Sequence, residues 1–431
     1  MTATVAPLLE ELSWRGLIHD STDLAALHEH LTSGRRRFYI GFDPSADSLT
    51  IGNLLPLTLI IRGARAGLGA VVLLGGGTGL IGDPSGKSQE RALLAEEEAR
   101  ANVASHAALM RAIFARALAP AELPQFLDNH DWLGPLGMLQ FLREVGKHFP
   151  VGELLRRDAV RRRLDDPEQG ITYTEFSYAL LQAYDFLRLR VDHGVTVQLG
   201  ASDQWGNIVA GIDYIRRVLH EQVHGLTCPL LLRADGSKFG KTERGSVWLS
   251  ADRTSPYALY QFLLNLTDDD APRFARFFSL EPRERLEKLF AEHAERPALR
   301  LLQRHLAAEL TTLLHGPEAC ARAEQASQAL FSGDVRAIGD DLLGEVFADV
   351  PTVELPLREL AGAGLPVVDL LLAVELAASR REAREHLANG AVLVNGAKPD
   401  PAATLTPGDL LHGAVILVRR GKREWRVARF R

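Results

Sequence analysis

The chain has 431 residues, 46% of them hydrophobic and 24% charged, with a formal net charge of −6. That length exceeds one compact core and predicts two or three domains of a water-soluble globular protein. No apolar run is long enough to span a bilayer, and Met1-Thr2-Ala3-Thr4-Val5 lacks the basic-then-apolar pattern of a secretion signal. Two distant cysteines, Cys228 and Cys320, with no paired spacing argue against a disulfide framework or a protein-bound metal site. These features predict a cytoplasmic protein with no membrane association.

Residues up to about Thr32 read as a helical lead-in. Phe38-Tyr39-Ile40 then has the residue types of a buried strand. It runs into the turn-rich stretch 41–53, followed by residues 54–61, apolar enough for a helix packed on a sheet. Pro56 fits only the first turn of that helix, because proline donates no backbone hydrogen bond. Strand, tight turn and helix start leave outward-pointing N–H groups that suit phosphate, although the same segment would serve as an ordinary connection. Further strands are predicted over 70–74 and 195–200, with amphipathic helices over 136–145 and 174–187. Such alternation predicts a parallel sheet with ligands at its C-terminal strand ends.

From Ser255 to Leu330 the pattern is helical throughout, and residues 331–364 hold enough Gly, Pro and Asp to read as a linker. The remainder reads as two short helices, then strands with turn signals at Asn395-Gly396 and Pro407-Gly408-Asp409. Domains are therefore expected at 1–225, 226–330 and 365–431, with 331–364 between the last two. The overall charge is acidic, yet the stretch after Ser379 is rich in arginine and lysine, the mark of a polyanion partner.

Gly77-Thr78-Gly79-Leu80-Ile81-Gly82 matches G-x-G-x-x-G, but Pro84 follows where a dinucleotide site needs an uninterrupted helix. Gly82 to Ser88 is one residue short of a P-loop. What remains is a glycine-rich loop beside Asp83, Lys87 and Arg91 that a ligand can approach closely. In Asp235-Gly236-Ser237-Lys238-Phe239-Gly240-Lys241-Thr242 two lysines stand three apart on a loop able to close over a polyphosphate. Tyr178, Gln182 and Asp185 share one helix face at spacings of four and three. Asp203, at a strand end in Ser202-Asp203-Gln204-Trp205, can accept from a ribose hydroxyl pair. Asn129 and Asp131 near Trp132 are weaker candidates of that kind.

Together and in order, GFDPSADSL, GGTGLIGDPSGK, TEFSYALLQAYDFLRL, GASDQWGNI and KFGKT resemble the bacterial tyrosyl-tRNA synthetases of class I. The final stretch is similar to an RNA-binding module shared with a ribosomal protein. The resemblance implies an α/β fold: a Rossmann-like parallel-sheet catalytic domain, then an α-helical anticodon-side domain and a small α+β RNA-binding domain. It implies a homodimer that activates L-tyrosine with ATP, accompanied by Mg2+, and transfers tyrosine to tRNA(Tyr). Tyr39 and Asp185 match positions binding the substrate hydroxyl, and Asp83, Tyr178 and Gln182 those holding its ammonium. Gln204 matches a position beside the carboxylate, and Asn129 falls with the tyrosine-binding set. Gly41, Asp43, Gly52 and Asp203 fall with ATP. Lys87 and Arg91, with Lys238, Lys241 and Thr242 of the loop, match the pyrophosphate side. Arg380, Arg381, Arg384, Lys422 and Arg423 are expected on tRNA phosphates. The family's His-x-Gly-His is here Thr50-Ile51-Gly52-Asn53, and Ser45 stands where threonine is usual. The implied result is a slower but competent enzyme. An RNA-binding protein on a retired scaffold, or an enzyme for another aromatic amino acid, would share most of these motifs.

Overall fold

A computed structural model describes residues 6–34, 36–85, 93–164, 170–237, 239–242, 245–332, 334–348, 350–421 and 424–431. It divides into two compact units: Met1–Thr254 with Asn265–Leu314, and Ser255–Leu264 with His315–Arg431.

The first unit is built on five strands: β1 (Arg37–Phe42), β2 (Gly69–Leu74), β3 (Gln125–Asp128), β4 (Val197–Ala201) and β5 (His224–Cys228). All pairings are parallel, in the order β3-β2-β1-β4-β5. The chain winds outward from β1 to β3, then returns to place β4 on the other side of β1. This leaves a switch point between β1 and β4, where an open parallel sheet offers a crevice. Tyr39 and Gln198 are partners in register across it.

Buried strands need cover on both faces, and helices supply it. A 3-10 turn, Ile51–Asn53, leads into the helix Leu54–Arg65, which has Pro56 in its first turn. The long helix Tyr173–His193 starts at Thr172, whose hydroxyl accepts from the Glu175 N–H, and stops at Gly194 with φ +65°. Gly194 serves there because the left-handed conformation carries no Cβ penalty for glycine. This helix runs six residues beyond the expected end at 187, because Leu189 on its last turns is buried in the core. Tyr39, Val71, Phe186, Leu189, Ala210 and Tyr214 belong to one continuous apolar core, so β1, β2 and two covering helices are locked together.

In the second unit an α-helix Pro317–Ser332 packs with Pro256–Leu264. A four-stranded sheet follows in the order Val392–Val394, Val415–Arg420, Glu424–Phe430, Thr352–Leu355. Residues 331–364, expected as a linker, instead hold the helix Asp340–Val346 and the strand Thr352–Leu355, which pairs in parallel with Glu424–Phe430. Their Gly and Pro residues punctuate short elements, while Leu342, Leu343 and Phe347 are buried in a core with Val415 and Val427. Among the described residues no helix is long and apolar enough to cross a membrane.

Candidate active site

At the C-terminal ends of β1 and β4 the sheet opens into a cleft of about 280 Å³. Its floor is Asp185, fully buried on the long helix. Asp185 Oδ1 accepts from Trp132 Nε1 at 2.7 Å and Oδ2 from Asn129 Nδ2 at 2.9 Å. Asn129 is fixed in turn. Its Oδ1 accepts from the Gly77 N–H at 2.7 Å, and its Nδ2 also donates to Thr78 Oγ1 at 2.9 Å. Burial pushes the Asp185 carboxyl up to about 7, while the donors Asn129 and Trp132 pull the other way.

Tyr39 lines the same cleft from β1, its ring against Phe186 at a centroid distance of 5.4 Å. Its hydroxyl is buried and has no hydrogen-bond partner among the described residues. Burial, then the charge of Asp185, raises its pKa well above the ordinary value, so at neutral pH it is a phenol with a proton to donate. Gln198 Oε1 is likewise buried without a partner. Buried polar atoms of this kind are costly unless a ligand completes them.

Further along, two carboxylates face the cleft. Asp43 accepts from Tyr178 Oη at 2.8 Å and from Thr78 Oγ1 at 2.8 Å. Asp83 accepts from Gln204 Nε2 at 2.6 Å and from the Ser85 N–H at 2.8 Å. With Gln182 and Asp203 also in the lining, this end presents negative charge suited to a cation or to hydroxyl donors.

The third side is the turn that follows β1. Gly41, Ser45, Gly52 and Asn53 line the cleft. The helix Glu96–Ala117 fixes this turn by its backbone: Asn102 Nδ2 donates to Pro44 O, Ser105 Oγ to Asp47 O, and His106 Nε2 lies 2.9 Å from Ala46 O. Thr50 is not in the lining; its hydroxyl donates to Asn53 Oδ1 at 3.1 Å. The lysine loop docks directly behind. Ile51 N–H donates to Val247 O, Leu249 N–H to Leu49 O, and Thr50 bridges Trp248. Gly240, at φ +84°, lies so close to Ile51 that a Cβ there would sit 2.1 Å from Ile51 Cγ2. Only glycine lets this loop close on the turn.

A family model described as "tRNA synthetases class I (W and Y)" matches residues 32–332. A second, "Tyrosine--tRNA ligase SYY-like C-terminal domain", matches residues 343–428. The chain is 45% identical over 425 residues to the Tyrosine--tRNA ligase of Roseiflexus castenholzii, covering 98% of this chain and 99% of that protein. It is 46% identical over 422 residues to that of Aeromonas hydrophila, covering 97% and 98%. A solved structure of C-terminally truncated mitochondrial tyrosyl-tRNA synthetase from Aspergillus nidulans superposes with a TM-score of 0.69 at 30% identity, covering 75% of this chain and 94% of that one. This chain belongs to the tyrosine--tRNA ligases, a family of class I tRNA synthetases. Tyrosine, ATP and tRNA(Tyr) are this ligase's substrates.

For the ligase, the fold brings together in one cleft Tyr39, Gly41, Asp43, Ser45, Gly52 and Asn53 from the first part of the chain, with Asp83, Asn129, Tyr178, Gln182, Asp185, Asp203 and Gln204. Asp131 is exposed and outside it. Lys87, Arg91, Lys238, Lys422 and Arg423 lie outside the described residues, and Lys241 and Thr242 are described only as a strand. Arg380, Arg381 and Arg384 are exposed on the helix Arg380–Ala388 of the second unit. Arg380 pairs with Asp369 and Arg381 with Glu385.

Thr78 and Gln198 also line the cleft, though neither stands out in the sequence as a site residue. The signal for Gln198 was a glutamine inside an otherwise apolar strand. Thr78 offered none, because its partners Asp43 and Asn129 are remote in sequence.

Proposed function

We propose that the cleft activates tyrosine by seating its phenol between Tyr39 and Asp185. The observation that carries this is a buried carboxylate already held by two donors, beside a buried tyrosine hydroxyl that lacks a partner. A substrate hydroxyl completes both. Phenylalanine would leave them unpaired, and a site built to bond a hydroxyl rejects an analogue lacking it, a rule for which this enzyme family is itself the standard illustration.

The carboxylate end then receives the ammonium, through Asp83, Tyr178 and Gln182, with Gln204 beside the substrate carboxylate. ATP lies over Gly41, Asp43, Gly52 and Asn53, with Asp203 at its ribose, and brings Mg2+ as its own counter-ion. The tyrosine carboxylate attacks the α-phosphate, so no side chain serves as nucleophile. Catalysis consists of positioning and of stabilising charge on the departing pyrophosphate. Ser45 and Asn53 lie at its edge. Lys87, Arg91, Lys238, Lys241 and Thr242 act from the two loops, and the packing of Gly240 on Ile51 supports that assignment for the lysine loop.

Arg380, Arg381, Arg384, Lys422 and Arg423 contact tRNA phosphates in the cytoplasm, where charging takes place. The enzyme works as a homodimer; exposed Met138, Leu139 and Val151 supply an apolar surface for a second copy.

Tyr39→Phe tests the pocket. The ratio of kcat/KM for tyrosine over phenylalanine in amino-acid-dependent ATP–pyrophosphate exchange should fall at least about tenfold. An unchanged ratio would place hydroxyl recognition elsewhere.

A further inference from the structure

We propose that Thr50 is a positioning residue that acts on ATP through Asn53, and that the group facing the nucleotide is Asn53 Nδ2. The proposal rests on the synthetase reading above. It concerns the two positions at which this chain departs from its family's His-x-Gly-His pattern.

The geometry leaves little freedom. Asn53 Oδ1 accepts from the Thr50 backbone N–H at 3.0 Å and from Thr50 Oγ1 at 3.1 Å. A backbone N–H can only donate, so the oxygen of the carboxamide must face Thr50 and the nitrogen must face away. Asn53 lines the cleft while Thr50 does not. Among the described residues nothing accepts from Asn53 Nδ2, and that nitrogen is not a buried orphan. It therefore stands as a preset donor at the ATP end.

Thr50 cannot readily exchange that role for one of its own. Its backbone is bridged to Trp248, and the residues on either side are hydrogen-bonded to Leu249 and Val247. Its hydroxyl proton is spent on Asn53. Thr50 thus contributes indirectly, by removing the rotational freedom that a lone asparagine amide would lose on binding ATP.

The test uses the full-length protein, with tyrosine-dependent adenylate formation measured in single turnovers and tyrosine Kd as the folding control. Thr50→Val keeps the shape and loses the hydroxyl; activation should slow roughly 3- to 10-fold, the scale of one neutral hydrogen bond, with tyrosine Kd unchanged. Thr50→Ser should restore the wild-type rate within about twofold. In an Asn53→Ala background Thr50→Val should have no further effect, because its only route is gone. Asn53→Asp keeps an acceptor for Thr50 but removes Nδ2, and should be slow although the turn is intact. Additive losses in the double variant, or a wild-type rate for Asn53→Asp, would overturn the proposal. Absence of tyrosine-dependent activation in the wild-type protein would instead refute the synthetase reading itself.

Discussion

At the residue scale the proposed tyrosine pocket turns on Asp185. Burial raises its carboxyl to about 7, so in the ligand-free protein the acid and carboxylate forms are both present near neutrality. A phenol donates best to the carboxylate, which gives tyrosine affinity a definite sign of pH dependence. Binding should strengthen as pH rises through about 7, with Kd approaching a tenfold change per unit on the acid side. The raised value also means that this carboxyl's contribution to folding is greatest at low pH and is lost as pH rises towards about 7; bound tyrosine offsets that loss. Equilibrium dialysis between pH 5.5 and 8.5 checks it, since a flat Kd would mean that Asp185 is ionised throughout. The carboxylate itself was legible in the sequence from its spacing with Tyr178 and Gln182. Its two donors were legible only as names, because Asn129 and Trp132 reach it across a separation of 56 and 53 residues. The engagement of Thr50 with Asn53 was not legible at all: three residues apart, they could as well have pointed to separate ligands.

At the scale of elements, periodicity and turn chemistry identified β1, β2, β4 and the long helix, since buried parallel strands and amphipathic helices are written in local pattern. What local pattern omits is how elements are fastened. Arg15, its side chain fully buried, donates to Arg276 O, Ser279 O and Glu281 O at the end of the helix Asp270–Phe278, and to Glu11. Arg62, from the helix that begins at the signature turn, donates to Phe277 O and Ser279 O. Burial, together with the neighbouring Arg15, lowers the Arg62 pKa to about 9, which leaves that guanidinium charged at neutral pH, where the carbonyls at the helix end hold it. Arg15→Met removes the donors of Arg276 O and Glu281 O and leaves Ser279 O with that of Arg62 alone. It should lower unfolding stability by about 3 kcal/mol, read as a shift of the urea midpoint at unchanged slope. A loss below about 0.5 kcal/mol would mean that water replaces the guanidinium. The helix and strand within 331–364 are not written in local pattern for a related reason. The helix buries Leu342 and Leu343, with Phe347 just beyond its end, against Val415 and Val427 from far along the chain, the strand pairs with the equally distant Glu424–Phe430, and the local punctuation is that of a linker.

At the scale of the whole molecule the proposed roles divide between the two units. Every cleft residue falls in the first unit, and the exposed arginines of the helix Arg380–Ala388 fall in the second. The acidic total of the chain hides that division, and several C-terminal arginines are already paired, among them Arg420 with Glu424 and Arg431 with Glu354. Exposed Arg384 makes no ion pair among the described residues, so of the arginines proposed to meet tRNA on this helix it is the one that need not give up a carboxylate. The most direct measurement is ATP–pyrophosphate exchange with tyrosine, phenylalanine or tryptophan, run on the full chain and on a form ending at Ser332, with tRNA charging assayed beside it. Exchange with tyrosine alone is expected in both forms, and charging only by the full chain. Equal exchange with phenylalanine or tryptophan, no exchange at all, or normal charging by the shortened form would contradict that expectation.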